Sequence, residues 1–245
     1  MTHLSDEEAT TERVGKLGEE AGRFSSNLEK QLYSVRTLWK TYVGLFGTNL
    51  ERVELINSVS GQTSIQIKRA MWQSAVLSIC RMTDPVLGRR ATHKNVTIQR
   101  LPSYLSAGPD SDLSDHITFA VERAKFAKLY RDKLIAHSDD DAMNGRVSVL
   151  QGSRADMREA MDAIATCIKR FALVELGTSL VTHPITKADD EVWFLQHLFE
   201  GVKAMESKKV RYQELLRAGR HAEAKALNSY PDWLNFRPKR ITDVD

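Results

Sequence analysis

Leu28, Leu32, Val35, Trp39, Tyr42 and Phe46 lie alternately four and three residues apart. That period sets all six along one side of an α-helix of about six turns, whereas a strand would repeat every second residue. Three further stripes follow. Ile65, Trp72, Val76, Ile79 and Thr83 keep a similar spacing from about Ser60 to Thr83. Leu113, Ile117, Ala120, Ala124 and Ala127 make the next, begun by a cap at Asp110, Ser111 or Asp112. Met157, Met161, Ile164, Ile168 and Phe171 make the fourth, opened at Ser153 by a capping box in which Asp156 replaces the usual Glu. Four helices, each apolar on one side, can bury that side only against one another, so the pattern predicts an all-α four-helix bundle with additional helices at both ends.

Breakers divide the rest of the chain. Gly44 and Gly47 weaken the far end of the first stripe, and Asp84-Pro85 closes the second, because the proline ring disfavours a helical residue before it. NVTIQRLPSYL, between Pro85 and Asp110, fits either a short helix or an extended segment. Asp139 to Gly152 reads as a loop, with VSVL as a stub of strand. A fifth helix is expected near Asp189 to Ala218 and a short helical stretch around His221 to Leu227, with Trp233 and Phe236 folding back on the bundle. Trp39, Trp72 and Trp193 are expected in the core. The first 22 residues, with Gly15, Gly18 and Gly22, are expected to form at best a frayed helix. These readings divide the chain into a flexible or helical extension (1–23), the bundle (24–182), and a C-terminal helical extension packing on it (183–245).

Composition excludes several function classes. Of the 245 residues, 42% are apolar and 27% charged, as in an ordinary soluble globule. The longest apolar run, Phe171 to Val181, is too short to span a membrane and is interrupted by Glu175. The acidic start, MTHLSDEEATTER, has no apolar signal core, so a cytoplasmic location is expected. Cys80 and Cys167 sit in helical apolar patterns and read as reduced core thiols. Neither Cys-x-x-Cys nor His-x-x-x-His occurs, and the phosphate-binding glycine loops and the Gly-x-Ser-x-Gly elbow are absent, so no metal and no cofactor are expected. A net charge of +3 is too small to hold nucleic acid by charge alone. Any such contact must be local, at clusters such as Gly88 to Arg90, Lys128 to Lys133 or Arg237 to Arg240.

The densest chemistry is in YRDKLIAHSD, Tyr130 to Asp139. Arg131 offers a planar fork of donors to a phosphate. His137 can move a proton near neutral pH, and Asp132 can orient either one. On an ideal helix Arg131 and His137 lie about 9 Å apart along the axis and about 120° apart around it. Two readings stay open for the pair: cations favoured by the negative end of a helix dipole, or a catalytic pair. Arg81, Asp84, Lys133 and Tyr130 are the candidates for holding substrate. For Arg81 and Asp84 the alternative is local, with Arg81 on the last carbonyls of its own helix and Asp84 in a turn before Pro85. Tyr130 fits a core position or a base-stacking one.

YRDKLIAH resembles the Arg-polar-x-x-x-x-His element of the HEPN superfamily, in which four to six residues separate Arg from His. SICRMTDP, Ser78 to Pro85, some fifty residues earlier, resembles the AbiU-type abortive-infection branch of those proteins. The resemblance spans roughly Phe24 to Val181. It implies an all-helical, metal-independent RNA endonuclease in which the RNA's 2′-hydroxyl attacks the adjacent phosphate, leaving a cyclic phosphate and a free 5′-hydroxyl. In that chemistry His137 handles the protons, Arg131 steadies the phosphorane, and Asp132 positions one of them. One chain supplies one such pair while the reaction needs both an acid and a base, so a homodimer is expected. RNA is the expected substrate, an antitoxin protein a possible partner, and phage defence or a toxin–antitoxin pair the expected setting. The alternatives are an HEPN domain that binds RNA or nucleotide without cutting it, and a helical protein-interaction module.

Overall fold

The computed structural model describes residues 6–88, 93–135, 152–183 and 189–235. Helix α1 (Asp6–Leu17) turns at Gly18 into α2 (Glu19–Phe46), which is followed by α3 (Leu50–Thr83). A 3-10 segment (Ile98–Tyr104) leads to α4 (Ser111–Arg123) and α5 (Lys125–Tyr130), which widens into a π turn at Arg131–Ile135. Then come α6 (Arg154–Leu176), α7 (Asp190–Arg217) and two short helices, α8 (His221–Leu227) and α9 (Asp232–Asn235). The fold is all-α; among the described residues the only β pairing is one isolated bridge between Leu87 and Lys94.

The four expected stripes meet in one core, except that Ile65, at the head of the second, is exposed. Leu28, Leu32 and Val35 of α2, Val76 and Ile79 of α3, Leu113 and Ala120 of α4, and Met157, Ile164, Ile168 and Phe171 of α6 are all almost wholly buried there. Each large side chain in that set contributes about 1.5–3 kcal/mol by leaving water. Asp110 proves to be the cap of α4, accepting from the Leu113 amide at 2.9 Å. The Ser153/Asp156 capping box is present as read, with both reciprocal bonds made. Within NVTIQRLPSYL, Ile98–Tyr104 form a 3-10 helix that buries Ile98 and Leu101, while Thr97 before it is extended.

Three expectations need correction. The N-terminal segment is a three-turn helix packed along α2, not a frayed one. Its glycines explain both the expectation and the outcome: a Cβ on Gly22 would come within 2.6 Å of the Val14 backbone, so the residue that lowers helix propensity is what lets α1 lie so close. Arg13 of α1 then clasps the buried Glu29 through Nη2 at 2.5 Å and Nε at 3.2 Å. The helix expected from Ser60 begins ten residues earlier at Leu50, and Ser60 marks a kink with extended backbone inside it. Finally, Trp193 and Trp233 are exposed rather than buried. On α7 the buried positions are Glu191, Leu195 and Leu215, and Leu195 joins Leu45 and Ile56 in a small second core. Trp193 therefore stands on the outer side, and Phe236 lies outside the described residues.

Candidate active site

The C-terminus of α3 meets the C-terminus of α5, and two breaks in helical geometry make the meeting possible. Pro85 ends α3 by forcing Asp84 into an extended conformation (φ −66°, ψ 157°), which swings its carboxylate away from the helix. The last carbonyls of α3 then need donors. Thr97 Oγ1 donates to the Met82 carbonyl at 3.0 Å, while Gln99 Nε2 and Lys128 Nζ donate to that of Thr83 at 2.8 and 2.9 Å. Lys128 thereby ties α5 to the end of α3.

One helical turn beyond Lys128, Arg131 opens the π turn. Its Nη1 donates to both oxygens of Asp84, at 2.8 and 3.0 Å, and its Nε donates to Asp132 at 2.8 Å. Burial opposes the charge on Arg131, but the hydrogen bonds to Asp132 and Asp84 outweigh it and push the guanidinium's pKa up, so it stays cationic at every accessible pH. Among the described residues Nη2 has no protein acceptor. Behind this cluster Cys80 is buried, and the loss of hydration pushes its thiol up to about 11 even though Arg131's charge pulls it down.

Of the residues read from the sequence, the structure brings Asp84, Arg131 and Asp132 together. Asp132 accepts a hydrogen bond from Arg131 Nε. Lys133 is half-buried on the same π turn. Tyr130 turns the other way, its ring edge-on to Trp72 at 6.4 Å. Arg81 is not brought to the cluster: it lines a separate groove with Asn27, Gln31 and Ser78. Nor does it hold the ends of its own helix, since Thr97, Gln99 and Lys128 take those carbonyls. His137 lies outside the described residues. Lys128 went unremarked as a positioning residue, although it sits inside the basic cluster that the sequence displays. Among the described residues no group of His, Cys, Asp or Glu is arranged to hold a metal ion, and no helix is long and apolar enough to cross a membrane.

The HEPN family described as AbiU2 matches residues 18–193, from the turn before α2 into the first turn of α7. No curated protein and no solved structure matches the chain. The chain belongs to the AbiU2 family of HEPN proteins.

Proposed function

We propose that this AbiU2-family protein is a metal-independent RNA endonuclease acting in abortive infection or as the toxin of a toxin–antitoxin pair. The observation that carries the reading is Arg131 itself: a permanently charged guanidinium at a helix end, oriented by two carboxylates and one quarter exposed. A pentacoordinate phosphorane carries extra negative charge on its equatorial oxygens, and a fixed arginine stabilises that charge more than it does the ground state. His137 takes the proton of the 2′-hydroxyl as its oxygen bonds to phosphorus. The bond from phosphorus to the 5′-oxygen breaks, and that oxygen receives a proton from a second histidine. The second histidine belongs to another copy of the chain, so the working unit is a homodimer with a shared groove. The setting is cytoplasmic, and a neutralising antitoxin would act by covering or modifying that groove.

One observation favours the rival reading, an HEPN domain that holds RNA or nucleotide without cutting it. The carboxylates of Asp84 and Asp132 already occupy Nη1 and Nε of Arg131, so a phosphate must displace one of them or settle on Nη2. Expression in a bacterial host separates the two. Wild type should arrest growth and should cut RNA in EDTA to 2′,3′-cyclic phosphate ends, while Arg131→Ala and His137→Ala do neither. If wild-type dimer leaves RNA intact across RNA classes, the enzyme reading fails and the binding module stands.

A further inference from the structure

Tyr130 and Arg131 are consecutive, yet they serve two different places: Arg131 reaches Asp84, and Tyr130 reaches Trp72. On the Tyr130 side lies a groove of about 450 Å³ whose lining includes Tyr42, Lys68, Arg69, Trp72, Tyr130 and Arg154. Lys68, Arg69 and Trp72 share one face of α3 by their spacing, and Arg154 comes from the first turn of α6. Two kinds of group therefore surround one cleft. The rings form a packed cluster, with Trp72 5.8 Å from Tyr42 and 6.4 Å from Tyr130, and both Trp72 and Tyr130 keep part of their surface open. Among the described residues three cations line it, and no carboxylate does. Lys68 and Arg69 are exposed and form no ion pair among the described residues. Arg154 is held in place by its bond to the Gly47 carbonyl.

We infer that this groove is a binding subsite for unpaired RNA, in which bases stack on Trp72 and Tyr130 while Lys68, Arg69 and Arg154 hold the flanking phosphates. The chemistry is specific to a polymer bearing both planar rings and regular negative charge. Bases paired in a duplex offer no free faces to the rings, and an acidic peptide uses the cations but leaves the rings without a partner. The inference rests on the proposed action on RNA and deepens it: the strand enters single-stranded along α3 and passes Tyr130 to reach Arg131.

The test uses full-length protein carrying His137→Ala, so that RNA survives, and fluorescence anisotropy with three labelled probes: an unpaired RNA, the same strand with its bases removed, and a duplex. The unpaired strand should bind tightest. Replacing exposed Lys68 and Arg69 together by Ala should weaken it and lower the slope of log K against log salt by about 1.4, since each phosphate contact on a single strand contributes about 0.7. Tyr130→Leu should weaken the base-bearing strand roughly 5- to 100-fold and leave the abasic strand unchanged. The inference is overturned if the double variant keeps wild-type affinity and salt slope, if abasic strand or duplex binds as well as unpaired RNA, or if polyglutamate competes as strongly as RNA. Parallel cleavage assays with His137 intact separate the two ideas. Cutting that persists without groove binding sinks the subsite alone, whereas groove binding without any cutting sinks the endonuclease and keeps the subsite.

Discussion

Removing the Asp84 carboxylate should loosen Arg131 without unfolding the bundle, and the size of the effect can be worked out. The two charge centres are about 4 Å apart, so at an effective dielectric near 20 their gross attraction is about 4 kcal/mol. Both side chains are 24% exposed, which returns much of that gain as lost hydration. Asp132 also stays on Nε when Asp84 is gone. The net coupling should therefore be about 1–2 kcal/mol, above the ~0.2–1 of an exposed pair and below the ~3–5 seen on breaking a fully buried one. A double-mutant cycle of Asp84→Asn and Arg131→Ala, read by urea unfolding, isolates that term from the individual substitutions. Asp84→Asn should also cut RNA cleavage, because the arginine loses its anchor across the α3–α5 junction. A coupling below about 0.3 kcal/mol would mean that the bridge does not position Arg131.

Gly152 combines a φ of +70° with a position where a Cβ would meet the Phe126 ring at 2.4 Å, so Gly152→Ala should cost about 2–3 kcal/mol by urea titration; a loss under about 0.5 would contradict the packing. Burial raises the pKa of Glu29 above 4.5 despite the opposing charge and hydrogen bonds of Arg13. A carboxyl whose folded pKa is raised gives its full stabilisation below the unfolded value and loses it as pH rises through the folded one. Between acid and neutral pH, wild type should thus lose unfolding free energy relative to Glu29→Gln, and a difference independent of pH would refute this. Burial pushes the thiols of Cys80 and Cys167 up to about 11 and about 12, so the native protein should be inert to a thiol-specific disulfide reagent near neutral pH. Both cysteines should react once urea unfolds it, and fast labelling of folded protein would show the core placement to be wrong.

Much of this protein is written in short-range patterns. The four stripes, the cap at Ser153, the break at Asp84-Pro85 and the two motifs each occupy a few turns of one helix. Their physics is local: side-chain period, hydrogen-bond capping and the steric demand of proline, all legible without knowing where the chain goes next. Such patterns also carry the family resemblance, which the match over residues 18–193 upholds. What they leave undecided is which partner a side chain meets across the bundle. Arg131 finds its carboxylate 47 residues away, and nothing near Asp84 in sequence distinguishes that pairing from a turn before a proline. Arg81, three residues earlier, turns to another groove, and Trp193 faces outward on a helix with apolar residues on more than one side. Gly22 reads as a flaw in a helix until α1 lies against it. Each of these outcomes depends on how one helix is rotated and seated against another, a choice made by close packing of the whole core rather than by any one segment.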